Sequence, residues 1–189
     1  MPPRNRAELI PTILDLCGGS GSWSQPYRDA GYHIEIIDLK NNQDIRLLEY
    51  HRLNVRGILA APPCTDLAGS GARWWEGKGE KALVDALATA DACLRAVTIY
   101  KPVWWALENP VGRLRRFYGP PRLIFDPCDF GDSYTKKTLL WGEFNIPERN
   151  PVEPTEGSKM HLMPPGDERA ELRSMTPPGF AGAFFCANP

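Results

Sequence analysis

Apolar residues in this chain fall into short runs that end in glycine, proline or an acid, with longer amphipathic stretches between them. Thr12-Ile13-Leu14-Asp15-Leu16 reads as a buried strand running into the glycine-rich turn Gly18-Gly19-Ser20-Gly21. A helix is predicted from Ser22 or Ser24 as N-cap to Gly31, which suits a C′ position. His33 to Asp38 predicts a second strand closed by an acid, Asp44 to about Arg52 a short helix, and Arg56 to Ala61 a third strand. Ala68 to Gly79, glycine-rich around Trp74-Trp75, reads as a mobile loop. The clearest helix is Glu80 to Tyr100, where Leu83, Leu87, Ala90, Leu94 and Val97 share one face and Pro102 follows the end. Val103 to Leu107 predicts a strand that ends in Glu108-Asn109-Pro110. A short helix near Val111 to Phe117 and strands at Arg122 to Phe125 and Thr138 to Trp141 complete the pattern.

Strands separated by helical segments predict an α/β protein with a Rossmann-like, doubly wound, mostly parallel sheet, whose ligands lie at the carboxyl ends of the strands. The Gly18 to Gly21 turn, Asp38, Cys64 and Glu108 all fall at such ends. Residues 1–146 are expected to form the core. Residues 147–178, rich in proline and charge, read as a long loop or small insert, and residues 179–189 as a final helix docked back on the core.

Composition narrows the setting. The length of 189 residues suits one full domain, and no apolar run approaches the roughly 20 residues needed to cross a bilayer. The first residues lack the apolar core of a secretory signal, so a cytoplasmic location is expected, in a prokaryote or a phage-infected host, with a nuclear one left open. Cys17, Cys64, Cys93, Cys128 and Cys186 form no CxxC pair, and His33, His51 and His161 have no ligand spacing, which predicts neither a disulfide framework nor a metal site. Net charge is −1, so no global attraction to nucleic acid is expected. Arg113, Arg115, Arg116, Arg122 and Lys136-Lys137 form at most a local basic strip, equally readable as a solvated face.

Candidate chemistry concentrates at the strand ends. Cys64 follows a buried strand and the stiff Pro62-Pro63 turn, a position that suits a nucleophile. Glu108 ends the next strand and suits a proton donor. The glycine turn followed by Asp38 is a nucleoside-binding arrangement: glycines admit the ligand to the backbone and the acid accepts from ribose hydroxyls, with Asp44 placed to meet an adenine amino group. This pattern alone does not separate a dinucleotide from S-adenosylmethionine, and a strict GxGxxG run is absent. Cys17, Cys93, Cys128 and Cys186 are expected to be small buried hydrophobes.

Taken together, roughly residues 11 to 142 resemble the DNA (cytosine-5) methyltransferase family. Leu14-Asp15-Leu16-Cys17-Gly18-Gly19-Ser20-Gly21 is similar to its first motif, with Cys17 where phenylalanine is usual. Ala61-Pro62-Pro63-Cys64-Thr65 is similar to the Pro-Cys catalytic motif and Glu108-Asn109-Pro110 to the Glu-Asn-Val motif. Phe130-Gly131 and the Tyr134 to Thr138 stretch fall where the Gln-x-Arg-x-Arg motif belongs, with Tyr134, Lys136 and Thr138 in place of Gln, Arg and Arg. Ala68 stands where serine is usual.

The resemblance implies a class I methyltransferase fold, S-adenosylmethionine as cofactor, DNA as partner, no metal, no membrane and a monomer. It implies that Asp15, Cys17, Gly18, Gly19 and Gly21 hold the cofactor together with Asp38, Leu39, Asp44, Ile45 and Pro62. Cys64 would add to cytosine C6, Glu108 would hydrogen-bond N3 as a protonated acid, and C5 would then take the methyl group and lose its proton as Cys64 departs. Asn109 would orient the catalytic loop, and Lys136 would contact phosphate or the base carbonyl oxygen. Family members carry a sizeable recognition domain after the last motif, and here only residues 147–178 stand in its place. Arg73, Trp74, Trp75, Arg113 and Lys137 are therefore the candidate DNA contacts. Two other readings remain: C5 chemistry on a free cytosine nucleotide or single strand, and a catalytically silent DNA-binding relative.

Overall fold

The computed structural model describes residues 10–158 and 169–189. Its centre is a six-stranded sheet made of β1 (Thr12–Leu16), β2 (His33–Ile37), β3 (Val55–Ala60), β4 (Trp104–Pro110), β5 (Leu123–Phe125) and β6 (Thr138–Glu143), in the order β2-β1-β3-β4-β6-β5. The helices are α1 (Gln25–Asp29), α2 (Trp75–Tyr100), α3 (Arg115–Tyr118), α4 (Arg169–Ser174) and α5 (Pro178–Ala187). β2, β1, β3 and β4 pair in parallel, while β6 runs antiparallel between β4 and β5. The mostly parallel, Rossmann-like sheet expected from the sequence is therefore present. The antiparallel strand follows from its connection: residues 126–137 contain only a 3-10 turn, Pro127–Phe130, and no crossover helix to return the chain in parallel.

β1 is buried along its whole length because β2 and β3 flank it and helices cover both faces. Alternation divides its residues. Leu14 and Leu16 join Ile58, Ala60 and Leu107 against Ala90, Cys93 and Ala96 of α2. Ile13 joins Leu59, Trp104 and Ala106 on the opposite face against Tyr27, Phe180 and Phe184. Phe180 and Phe184, one helical turn apart on α5, contribute about 2–3 kcal/mol each by burial. Asn188 fastens the end of that helix: its side chain bonds the Asn145 backbone in both directions, and its carbonyl accepts from the Tyr27 hydroxyl. No helix among the described residues is long and apolar enough to cross a membrane.

Several local expectations need correction. The helix predicted from Asp44 to about Arg52 is only a 3-10 turn, Ile45–Leu47, because Leu48 turns extended and only Ile45 is fully buried. The loop predicted from Ala68 to Gly79 is mostly helical. A 3-10 segment, Gly69–Trp74, leads into α2, whose first turn is set off from the rest by Gly79 at φ 71°. Glycine richness there marks a break between two helical pieces. The helix expected over Val111 to Phe117 is confined to α3, since residues 111–113 are held against the Cys64 loop. Of the stretch 147–178, expected as a long loop or small insert, the described residues include α4, and residues 150–157 bond along 128–135, through Val152 N–H to the Cys128 carbonyl and Thr135 N–H to the Gly157 carbonyl. Of the four cysteines expected to be buried, only Cys93 is; Cys17 and Cys128 are half-buried and Cys186, near the end of the apolar α5, is exposed.

Candidate active site

The reversal of strand order places a crevice at the carboxyl ends of β1, β3 and β4. After β1, Cys17 takes a left-handed conformation at φ 57° and its N–H bonds the Ile37 carbonyl. A Cβ at Gly18 would overlap the Asp15 carboxyl, so only glycine lets the turn close over that acid. Gly19, also left-handed, has open space where a side chain would point, and Gly21 closes the turn onto the Gly18 carbonyl at 2.8 Å. Asp38 joins this turn to the next: Oδ2 accepts from Gly19 N–H at 2.9 Å and Oδ1 from Lys40 N–H at 2.8 Å. Beyond it Leu39 is 65% exposed at the mouth of the crevice. Asp44 is paired with Arg46 at 2.6 Å, which holds its carboxyl below the usual range. Ile45 is buried, leaving its backbone as the part able to meet a ligand.

Asp15 lies under this turn, not in the crevice. It is buried, accepts from the Ser24 hydroxyl at 2.5 Å, and leaves Oδ1 without a partner. Burial raises its pKa from 3.8 to about 6 against the lowering effect of the Ser24 bond. Ser24 thus spends its hydroxyl on Asp15 and the Gly21 carbonyl and not as a helix cap. The folded state binds the Asp15 proton more tightly than the unfolded chain does, so this group's contribution is lost as pH rises from about 4 through about 6. Asp15→Asn is expected to remove roughly 3 kcal/mol of that pH-dependent loss. Urea unfolding of both proteins from pH 4 to 7 checks this, and parallel curves would refute it.

Cys64 lies four residues beyond β3 and is exposed. Its carbonyl accepts from Leu67 and Ala68 N–H, which rounds off the loop. The end of β4 and the residues that follow strap that loop in place. Asn109 Nδ2 donates to the Pro62 carbonyl at 2.9 Å, Gly69 N–H to the Val111 carbonyl and Arg113 N–H to the Leu67 carbonyl. Gly112 passes so close that any Cβ would overlap the Leu67 carbonyl oxygen. Arg113 Nε donates to the Asp66 carbonyl at 2.7 Å, and its guanidinium sits 4.5 Å from the Trp75 ring. Arg113 and Trp75 are thus engaged inside the protein, whereas Trp74 is 60% exposed with Arg73 stacked beside it.

Glu108, at the end of β4, has Oε1 buried without a partner, and burial pushes its carboxyl toward the neutral acid, opposed by the Lys136 charge. Loss of water on the protein side and the Glu108 charge push the Cys64 thiol up, while Lys136 and Arg173 favour its thiolate. Lys136 Nζ donates to the Arg173 carbonyl at 2.9 Å. Lys137 lies outside this group, exposed and 3.7 Å from Asp126. A cleft of about 300 Å³ separates Pro63, Thr65 and Asp66 from Ala82, Asp85, Ala86 and Thr89 of α2, with Arg46 on its wall. Among the described residues no group of three metal-ligating side chains occurs.

Cys64, Glu108 and Lys136 thus lie near one another beyond β3 and along β4, with Asn109 buried behind the Cys64 loop, while Asp38 is bonded to the glycine turn after β1. Two residues near these groups were not anticipated, Arg173 beside Lys136 and Ser24 beneath the glycine turn. Arg173 carried no signal beyond being a basic residue in the proline-rich stretch, and Ser24 read as a helix cap because sequence cannot show an acid buried beneath it.

The fold is shared with a prophage-encoded E. coli protein assigned as a DNA modification methyltransferase, with a TM-score of 0.51 over 76% of this chain and 15% sequence identity. The match covers 53% of that protein, so this chain spans about half its length. No family model matches the sequence, and no curated protein matches it.

Proposed function

We propose that this chain is an S-adenosylmethionine-dependent methyltransferase that modifies C5 of cytosine in DNA through a covalent bond from Cys64. The observation that most supports this is the buried, unpartnered Oε1 of Glu108, on a carboxyl pushed toward its acid form beside the loop that carries Cys64. A neutral acid beside a nucleophile is what addition to a pyrimidine ring requires.

The Cys64 thiolate forms a bond to C6, and the ring electrons move toward N3, where the Glu108 O–H donates. C5 thereby becomes nucleophilic. S-Adenosylmethionine, when bound, supplies an electrophilic methyl group to C5. Transfer of the C5 proton to a solvent water then restores the C5–C6 double bond, and the electrons of the C6–S bond return to sulfur as the Cys64 thiolate. Asn109 keeps Pro62, and with it Cys64, in register with Glu108.

The residues present fit the cofactor. The glycine turn has an open side at Gly19, Asp38 keeps lone pairs for ribose hydroxyls, and exposed Leu39 offers an apolar platform for a purine. Cys17, Gly18, Gly21, Asp44, the Ile45 backbone and Pro62 complete the cradle, with Asp15 as its buried support. Arg73, Trp74 and Lys137 are the side chains available to DNA, with Arg113 and Trp75 holding their platform.

Incubation of unmethylated DNA with the protein and S-adenosylmethionine, followed by mass spectrometry of the nucleosides, is expected to show 5-methyl-deoxycytidine. Its absence on DNA containing many sequence contexts would overturn the reading.

A further inference from the structure

α4 brings a second cation to the site. Arg173 lies 37 residues beyond Lys136, and its backbone carbonyl accepts from Lys136 Nζ at 2.9 Å, which latches the helix over the site. Its side chain is half-buried, and among the described residues no carboxylate pairs with it. The guanidinium lies near enough to Cys64 to favour its thiolate, as does Lys136. Lys136 and Arg173 thus bring two cations to a crevice in which burial biases the facing carboxyl of Glu108 toward its neutral form, in a chain whose net charge is −1. Such a local field attracts an anion. Lysine gives a point charge, whereas arginine gives the planar fork that matches phosphate oxygens.

We propose that Arg173 contacts the substrate, its guanidinium gripping a phosphate on the target deoxycytidine next to Lys136 while Cys64 and Glu108 receive the base. This deepens the methyltransferase reading and rests on it for the identity of the base. The same chemistry serves a phosphodiester in DNA or the monophosphate of a free nucleotide.

The test uses the full-length protein with Arg173→Gln and Arg173→Lys. The carbonyl that holds Lys136 is backbone and survives both changes. Affinity for a cytosine-containing oligonucleotide and for dCMP is measured over a range of salt, and Cys64 is alkylated with iodoacetamide at fixed pH. Arg173→Gln is expected to weaken oligonucleotide binding about tenfold and to lower the salt slope by about 0.9, the release expected for one phosphate contact. Alkylation of Cys64 should slow roughly threefold as its thiolate fraction falls. Arg173→Lys should restore the alkylation rate and part of the binding. Loss confined to the oligonucleotide assigns the contact to a phosphodiester, and loss for dCMP as well assigns it to the nucleotide's own phosphate. Unchanged affinity for both ligands, or an unchanged alkylation rate, would overturn the proposal. Weaker binding and slower alkylation in a protein that never forms 5-methylcytosine would sink the functional reading and leave the phosphate contact standing.

Discussion

Cys64→Ser is expected to lower methyl transfer by at least about 10³-fold while leaving the fold intact. A serine hydroxyl is ionised far less than a thiol at neutral pH, and among the described residues no general base is hydrogen-bonded to this side chain to compensate. The fold should survive because Cys64 is exposed and its contribution to the loop is its carbonyl, which the substitution retains. Thermal unfolding should therefore shift by no more than about 0.5 kcal/mol. DNA containing 5-fluorocytosine sharpens the test. Fluorine at C5 cannot leave as a proton does, so the bond from Cys64 to C6 persists as a shifted band on a denaturing gel. Wild type should give that band and Cys64→Ser should not. A covalent band in the variant would exclude Cys64 as the nucleophile.

Glu108→Gln should cost about 10²-fold in rate and change the shape of the pH profile. The productive form needs Glu108 protonated and Cys64 ionised. Both pKa values are raised, Glu108 from an ordinary 4.5 and Cys64 from 9.0. Between the two, each unit of pH removes about nine-tenths of the protonated acid and multiplies the thiolate tenfold. These effects cancel, so the wild-type rate should be level across that interval, falling on the acid side as thiolate disappears and on the alkaline side as the acid does. Glutamine has no proton to lose. The variant's rate should instead climb about tenfold per unit until the Cys64 pKa is reached. Single-turnover rates from pH 5.5 to 8.5 decide it, and a level profile in the variant would remove Glu108 from the chemistry.

The parts of the fold legible in the sequence are those in which one residue pattern has one physical use. β1, β3 and β4 are apolar runs ending in a turn residue, and Leu83, Leu87, Ala90, Leu94 and Val97 mark the helix that covers them. The Pro62-Pro63-Cys64 turn was readable for the same reason, whereas Glu108-Asn109-Pro110, which reads as a turn, continues β4 because β6 pairs with it through Pro110. What the sequence hid depends on contacts between distant residues. Arg113 reads as a basic surface residue until the Asp66 carbonyl and the Trp75 ring surround it. Asp15 reads as a ligand residue until Gly18 closes over it. Arg173 joins the site only because residues 150–157 run back along 128–135 and α4 meets Lys136.

The strap from Asn109 to Arg113 determines how the site is able to move. Because it is bonded to Pro62, Asp66, Leu67 and Gly69, and because Gly112 leaves no slack against Leu67, nucleophile and acid travel as one jaw. A nucleotide entering the crevice cannot part them without breaking several hydrogen bonds at once. Facing it is α4, where the Arg173 carbonyl accepts from Lys136 Nζ. On the proposed function, adjustment to a bound nucleotide would fall to the α4 side, and the spacing between Cys64 and Glu108 would stay constant.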